Sequence, residues 1–291
     1  MKAPVTLFIE ALGTVDFSYL DAKQGLLGES WFLDVELTGD LNDESMIFDF
    51  SAVKKEIKAC VDACIDHKLL VPMGHAAFQC EVLADEPGQL RVHGMYGQSR
   101  LFEHQSPAQA VVLIDASEIS PESVIAYLDA HIRAVLPANV TGFRVHFRQE
   151  VITGAWFQYS HGLKKHAGNC QRIAHGHRSR LQVWVDGECD ESLALAWCQR
   201  WQGIYLITRE DIVAEIDQAD RAYYVCAYQS GQGAFHLQVE QARCEVMDVD
   251  STIECIAQFI AEQIAQAHPD RSIKVRVYEG IHKGAIAYGG I

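Results

Sequence analysis

The sequence lacks long apolar runs, an excess of basic residues and a regular cysteine pattern. No stretch approaches the roughly 20 apolar residues of a membrane-spanning helix, and the first residues have no signal-peptide layout. Twenty-four Lys and Arg against 39 Asp and Glu give a net charge of −15, which argues against non-specific binding to nucleic acid or anionic lipid. The nine cysteines are irregularly spaced and odd in number, so a disulfide scaffold is not expected. We therefore expect a cytoplasmic protein that binds neither nucleic acid nor membrane.

The sequence does contain enough apolar material for two domains, because 49% of its 291 residues are hydrophobic and the length is about twice that of a usual domain. The two domains are expected to be copies of each other. Residues 27–39 align without a gap on residues 175–187, and both stretches are typical of a strand. We predict two modules, at 1–153 and 154–291.

Each copy is expected to follow the order strand, strand, helix, hairpin insertion, helix, strand. No strand–helix–strand alternation of the parallel kind is present, so the pattern predicts an antiparallel α+β fold. The first helix of copy one, at 50–65, has a regular apolar stripe, whereas its counterpart at 197–207 is expected to be short and irregular. The remaining elements are helices at 121–136 and 252–267, strands at 143–150 and 273–279, and insertions at about 73–118 and 221–248.

Three histidines of the second copy have the spacing of metal ligands. His175 and His177 are two positions apart on a strand, so their side chains point to the same face, and His161 ends the preceding strand. Three imidazoles with an open fourth position form the usual arrangement of a catalytic zinc ion. The alternative is that His175-Gly176-His177 forms an ordinary surface turn.

The loop between these histidines is basic, and residues 161–180 contain no acid. Next to a cation, flexible Lys and Arg side chains favour an anionic substrate such as a phosphate chain, although a basic run can also be only a solvated face. Cys170 lies within this positive field, which favours its thiolate form. The basic residues of the loop are Lys164, Lys165, Arg172, Arg178 and Arg180.

The first copy cannot build the same metal site. Leu27 and Glu29 align with His175 and His177, and we place Asp21 at the position of His161. The first copy instead has Asp66-His67 at the end of its helix, and a carboxylate beside an imidazole can tune a proton shuttle near neutral pH. The second copy has Thr208–Asp211 near the corresponding position and no such histidine.

Taken together, these motifs resemble the 6-pyruvoyltetrahydropterin and 6-carboxytetrahydropterin synthase family, in tandem. The family's histidine, loop cysteine and His-x-His are matched by His161, Cys170 and His175-Gly176-His177, and its Asp-His pair is matched by Asp66-His67. The resemblance implies the T-fold, in which strands of neighbouring modules join into a barrel. It also implies Zn²⁺ as the cofactor and a substrate of the 7,8-dihydroneopterin triphosphate kind.

The same resemblance implies roles for individual residues. Cys170 would abstract a proton from the substrate side chain, the Asp66-His67 pair would relay another, and triphosphate would leave. The family's glutamate at the end of the last strand, which anchors the pterin, corresponds to Glu279, with Glu150 as its counterpart; a carboxylate can accept both donors of the flat pterin edge. Thr252 matches the family's element before the last helix, and Lys164, Lys165 and Arg172 are the expected contacts of the triphosphate.

The chain departs from the family because the two halves of the site lie in different copies. We expect one complete site per chain, where the metal ligands of copy two meet the Asp66-His67 pair of copy one (the dyad). A second interface between modules is expected to hold no active site. Whether this meeting occurs within or between chains is left open, as is a pyruvoyl or a carboxy product. Because two modules cannot close a barrel, at least a dimer is expected. The alternatives are a non-catalytic pterin- or metal-binding relative and an unrelated zinc hydrolase, which would need a carboxylate base near the metal.

Overall fold

The computed structural model describes residues 5–290. Its four helices are α1 (Phe50–Ile65), α2 (Pro121–Val135), α3 (Glu191–Arg200) and α4 (Ile253–Ala267). The strands of the first half are β1 (Val5–Asp21), β2 (Gly25–Gly39), β3 (Leu69–Pro72), β4 (Phe78–Val82), β5 (Gln89–Tyr96), β6 (Arg100–Pro107), β7 (Val111–Ile114) and β8 (Val140–Gln149). Those of the second half are β9 (Trp156–His161), β10 (His175–Val185), β11 (Glu188–Cys189), β12 (Ile204–Thr208), β13 (Ile212–Gln218), β14 (Arg221–Ser230), β15 (Gly233–Glu240), β16 (Cys244–Met247), β17 (Ile273–Tyr278) and β18 (Gly284–Gly289).

The first module is a five-stranded sheet in the order β7-β3-β1-β2-β8, against which α1 and α2 pack. Helix α1 forms where its apolar stripe predicts it, and Asp49 caps its first turn by accepting from two backbone N–H groups. The four stripe residues are fully buried, and burial of each contributes about 1.5–3 kcal/mol. They are Val53, Ile57, Val61 and Ile65. The sequence prediction for this helix is confirmed.

The second module has the sheet order β16-β12-β9-β10-β17-β18, with β11 pairing β10. Helix α3 is shorter than α1, as expected, with 10 residues against 16, but the expectation of an irregular stretch at 197–207 was wrong. Helix α3 is regular and begins earlier, because Asp190 accepts from the Leu193 N–H and caps its first turn. The helix ends at Arg200, and the rest of the stretch is the buried strand β12.

The two hairpin insertions form a third sheet that belongs to both modules. Its order is β13-β14-β15-β6-β5-β4, and the antiparallel pair β6–β15 joins the insertion of one module to that of the other, with His104 opposite Leu237. Within residues 5–290 this is the only ladder between the modules, since no strand of one core sheet pairs with a strand of the other. The barrel that the resemblance implies is therefore not closed within one chain.

The two core sheets meet face to face where β1 and β2 cross β9 and β10. At this crossing the hydroxyl oxygens of Ser18 and Ser160 are 2.8 Å apart. The strand pairing is equivalent on both sides, because Ser18 pairs with Gly28 in one module as Ser160 pairs with Gly176 in the other. The interface therefore has an approximate twofold symmetry, and each residue on one side has a definable counterpart on the other.

Candidate active site

The three histidines of the second module converge at the end of its central strand pair. His161 on β9 lies directly opposite His175 on β10, and His177 follows two residues later on the same face. One ring nitrogen from each lies within 4.8 Å of the other two, and none of the three residues is more than 1% exposed. The structure therefore brings together the three residues that the sequence proposes as metal ligands.

The protein fixes two of these imidazoles through their second nitrogen. Nδ1 of His161 donates to the Ser251 carbonyl over 2.9 Å, and Nδ1 of His175 donates to the Arg172 carbonyl over 2.9 Å. Because a carbonyl only accepts, the proton is on Nδ1 and the lone pair is on Nε2. Nε2 of all three histidines is buried and has no hydrogen-bond partner. Buried polar atoms without partners are costly unless a ligand binds them.

The electrostatics of the cluster also suit a metal ion. Burial and the neighbouring imidazoles hold the pKa of His161 and of His175 well below the usual range, so both rings are neutral at physiological pH. The neutral ring is the form that binds metal. Three imidazole nitrogens with one open position fit a zinc ion.

The Asp66-His67 pair of the first module reaches the same place. Asp66 is the C-cap of α1, and its Oδ2 is 2.6 Å from Nδ1 of His67. The His67 backbone is left-handed, with φ of 53°, which is unfavourable for a non-glycine residue. At the symmetry-related position the second module has Gly203, with φ of 67°. The fold therefore retains a strained histidine where glycine would fit without cost.

Cys170 lies between the dyad and the metal ligands, in the short 3₁₀ turn Asn169–Gln171. Its sulfur and ring nitrogens of His67 and His175 lie within 4.8 Å of one another. Burial disfavours the charged ring of His67, but its hydrogen bonds to Asp66 and Cys170 outweigh burial and raise its pKa to about 10. Dyad, cysteine and metal ligands thus form one cluster, and they meet within a single chain.

Of the two glutamates named from the sequence, Glu279 is at this cluster. It follows β17, its carboxylate is 3.6 Å from the Lys283 ammonium, and that ammonium is 3.5 Å from Asp16. Burial, together with the charges of Glu279, Asp16 and Cys170, holds the pKa of Tyr159 well above its usual range. The Tyr159 hydroxyl is buried, has no hydrogen-bond partner and shares this pocket.

Glu150 is not the counterpart of Glu279. Val35 pairs with Val145 as Val183 pairs with Val275, and four residues further along these strands Gln149 stands where Glu279 stands. The Glu150 carboxylate instead lies 3.9 Å from both Arg180 and His282. The matching of the two glutamates was therefore wrong by one residue, because a strand register cannot be read from a shared residue type.

The symmetry-related half of the interface holds no metal ligands. Tyr19, not Asp21, takes the place of His161, since Tyr19 pairs with Leu27 as His161 pairs with His175. Gln202-Gly203, not Thr208–Asp211, takes the place of the dyad, because the Gly203 N–H donates to Gln158 as that of His67 donates to Asp16. The positions of these two matches were wrong. The first module nevertheless has no counterpart of the three-histidine cluster, and the second module has no counterpart of His67.

In the half of the interface that lacks the three histidines, polar side chains bind one another. Glu29, in the place of His177, is 2% exposed and accepts from the Gln149 amide over 2.6 Å and from the Gln158 amide over 3.5 Å. Gln158 in turn accepts from Gln202 over 3.0 Å. A carboxyl and three amides thus satisfy one another where the other half keeps unpartnered imidazoles.

The lysines of the loop do not face the cluster. Lys164 is paired with Asp211 and Glu210, at 2.6 and 3.0 Å, and Lys165 is 3.0 Å from both Glu210 and Asp250. The loop itself has no acid, but the acids that neutralise it come from neighbouring segments. The contact of Lys164 and Lys165 with a phosphate chain stays a prediction, and it requires the ion pairs of both lysines to break.

Arg172 and Thr252 have structural contacts next to the cluster. Arg172 crosses the module boundary and donates to the backbone carbonyls of Asp66 and His67, each over 3.3 Å. The Thr252 hydroxyl caps α4, while its neighbour Ser251 holds His161. A substrate contact of either residue stays a prediction.

Three residues of the site were missed by the sequence reasoning, namely Asp16, Ser251 and Lys283. Ser251 adjoins Thr252, so the sequence element before the last helix was recognised. The hydrogen bond from His161 to Ser251 was not predicted. Asp16 is on the same strand face as Ser18, in a strand whose sequence carries no recognisable site motif. Lys283 lies in the β17–β18 turn, for which the first module has no equivalent. Only the fold shows that these residues approach the histidines.

Comparison with known families decides the identity of the chain. The 6-pyruvoyl tetrahydropterin synthase family matches twice, over residues 16–136 and 150–289. The chain belongs to the 6-pyruvoyl tetrahydropterin synthase family. Members of this family are lyases, and the resemblance, the tandem T-fold α+β architecture and the synthase-like lyase class predicted from the sequence are confirmed.

The chain is similar to one curated protein and to solved structures of pterin synthases. A Methanocaldococcus jannaschii protein, provisionally named a 6-carboxy-5,6,7,8-tetrahydropterin synthase, is 26% identical over 136 residues, or 45% of this chain and 78% of its own. A catalytic-residue mutant of Plasmodium vivax 6-pyruvoyltetrahydropterin synthase has 16% identity, a TM-score of 0.38 and coverage of 50% of this chain and 99% of its own. The Plasmodium falciparum enzyme has 14% identity, the same coverages and a TM-score of 0.38.

The alternative of an unrelated zinc hydrolase is wrong, because both halves of the chain match the pterin synthase family. A carboxylate does approach the cluster, because Asp16 of the first module is 3.3 Å from Nδ1 of His177. Among residues 5–290, no helix is long and apolar enough to cross a membrane.

Proposed function

We propose that this protein is a zinc-dependent pterin synthase that acts on 7,8-dihydroneopterin triphosphate or a close relative and eliminates triphosphate. The observation that carries the proposal is that the three-histidine cluster and Cys170 of the second module meet the Asp66-His67 pair of the first module at one place. A protein that only bound a pterin or a metal would need neither the thiol nor the strained histidine.

His161, His175 and His177 would hold the zinc ion through Nε2, and the open fourth position would face the substrate. When bound, the ion supplies Lewis-acid polarisation of a substrate hydroxyl. The hydrogen bonds from Nδ1 to Ser251 and Arg172 keep two of the ligands oriented before the metal arrives. Little reorganisation is then required on binding.

Cys170 and His67 are suited to move protons at the substrate side chain. We assign Cys170 Sγ as the base that takes a proton from the carbon next to the polarised hydroxyl. Its neighbour His67 is kept protonated by Asp66, because the hydrogen bonds of His67 raise its pKa to about 10. The imidazolium of His67, beside Cys170, can return a proton to the product.

Glu279 is the residue we assign to the pterin ring. A carboxylate accepts the two adjacent N–H donors of that ring, and Glu279 lies with Asp16 and Lys283 beside the cluster. Because Glu150 lies elsewhere and its symmetry position is taken by Gln149, we assign no pterin contact to Glu150 at this site. Lys164, Lys165 and Arg172 remain the proposed contacts of the triphosphate, and Thr252 remains a proposed contact of the substrate.

Triphosphate release tests the proposal. Zinc-loaded protein is incubated with 7,8-dihydroneopterin triphosphate, triphosphate is quantified, and the pterin product is identified by mass, which separates pyruvoyl from carboxy products. We expect release that depends on zinc and is absent in Cys170→Ala. Binding of zinc and pterin without release would instead support the non-catalytic alternative, and the absence of zinc binding would overturn the proposal.

A further inference from the structure

Asp16 makes contact with both halves of the divided site. It lies on β1 of the first module and is 3% exposed. Its backbone N–H donates to Oδ1 of Asp66 over 2.9 Å, and its backbone carbonyl accepts from the N–H of His67 over 2.7 Å. The main chain of Asp16 therefore sets the position of the dyad.

The side chain of Asp16 points across the module boundary to a metal ligand. Its Oδ1 is 3.3 Å from Nδ1 of His177 and accepts from the Ser30 hydroxyl over 2.5 Å. The backbone opposite leaves room for it only because residue 280 is glycine, where a Cβ would lie 2.4 Å from Oδ1. Its Oδ2 is 3.5 Å from Nζ of Lys283. The carboxylate is thus held between groups that leave it little freedom.

His177 is the one imidazole of the cluster whose Nδ1 has no backbone carbonyl as partner. The Asp16 carboxylate, 3.3 Å from that nitrogen, lies on the Nδ1 side of His177, as the carbonyls of Ser251 and Arg172 lie on the Nδ1 side of the other two histidines. A carboxylate behind a ligating imidazole fixes its tautomer and makes it a better donor to the metal. The symmetry-related residue, Gln158, makes the equivalent contact to Glu29, where no metal ligand is present.

We propose that Asp16 is a positioning residue that couples the two modules: its side chain orients His177 for the metal, and its backbone fixes the dyad at a set distance from it. The first module, which has no metal ligand of its own, thereby controls the metal affinity of the second. This inference rests on the zinc site of the proposed function.

The test measures zinc affinity by chelator competition on the full chain, without substrate. Asp16→Ala should weaken zinc binding roughly tenfold to a hundredfold, the range for loss of a partner of a ligating histidine. Asp16→Asn keeps an acceptor without its charge and should lie between wild type and Asp16→Ala. The matched control is Gln158→Ala, which removes the symmetry-related side chain and should leave zinc affinity unchanged. Absorption of bound Co²⁺ reports the ligand geometry and should change in the Asp16 variants alone.

The outcomes separate the two proposals. If wild-type protein binds no zinc, the proposed function fails. If wild-type protein binds zinc and both Asp16 variants bind it equally well, the positioning role is overturned while the proposed function stands. An equal loss of zinc affinity in Gln158→Ala would also overturn the positioning role of Asp16, because the loss would then come from a general weakening of the interface between the modules. Should Asp16→Ala fail to fold, the near-isosteric Asp16→Asn still decides.

Discussion

Gly28 and Gly176 lie against each other at the centre of the interface between the modules. A Cβ on Gly176 would be 2.7 Å from the Cα of Gly28, and a Cβ on Gly28 would be 2.0 Å from the Tyr159 carbonyl oxygen and 2.5 Å from the His177 nitrogen. Both glycines stand at the same position of the repeat, so each removes the side chain that would separate the two sheets. This contact sets the distance between the metal ligands and the dyad.

We therefore expect Gly28→Ala to destabilise the protein by at least about 3 kcal/mol, because the atoms in its way are backbone atoms that cannot rotate aside. Urea unfolding measures the change. Gly142→Ala is the matched control, since the nearest atom to its Cβ would be the Thr38 Cβ at an ordinary 3.9 Å. Equal stability of the two variants would contradict the tight crossing.

Turnover should depend on Cys170 and on His67, whereas zinc binding should require neither residue. Each of Cys170→Ala and His67→Ala is expected to reduce triphosphate release roughly a hundredfold or more, since each removes a proton-transfer group. Zinc content, measured by atomic absorption, should stay at the wild-type level because the three ligands remain. The exposed Cys189, changed to Ala, is the control for general thiol loss. Loss of zinc in either variant would overturn the assigned roles.

The buried Glu29 should make stability depend on pH. Burial, partly offset by hydrogen bonds, raises its pKa from an ordinary 4.5 to about 7, so the folded state favours its neutral form. The resulting contribution of Glu29 to the free energy of unfolding is complete below about pH 4.5 and is lost as the pH rises through 7. It amounts to about 3 kcal/mol at most. Glu29→Gln should therefore be more stable than wild type at pH 8 and nearly equal at pH 4.5.

Urea unfolding at these two pH values is the measurement for Glu29. Glu36→Gln, which changes a partly exposed glutamate on the same strand, serves as the control and should show little pH-dependent difference. A Glu29→Gln variant that is less stable than wild type at pH 8 would mean that the carboxylate is ionised and needed in its network with Gln149 and Gln158.

At least a dimer is expected in solution. The core sheets end in β7 and β8 in one module and in β16 and β18 in the other, and none of these outer strands has a second partner within residues 5–290. Such edges expose unpaired backbone groups that another chain can pair with, as a barrel of neighbouring modules requires. Light scattering over a range of concentrations tests this expectation, and a monomer throughout would contradict it.

The elements could be predicted where local patterns are strong. The α1 stripe and the two hairpin insertions followed from apolar periodicity and turn residues, whereas strand β3, which follows α1, was not predicted. Helix α3 was misjudged because its cap at Asp190 was not read as a start. Three counterparts between the copies, at Tyr19, Gln202-Gly203 and Gln149, were assigned wrongly because a shared residue type does not fix the register of a strand.

The amino-acid sequence by itself determined the chemical groups of the site: three histidines with ligand spacing, a loop cysteine and an Asp-His pair, distributed over two copies of one fold. Tertiary structure alone decided that these groups meet within one chain, that Asp16 joins them and that Lys164 and Lys165 are neutralised by acids from elsewhere. The physical reason is that spacing along a strand fixes which side chains share a face, whereas contacts between sheets depend on how two surfaces pack, and here that packing depends on two glycines facing each other.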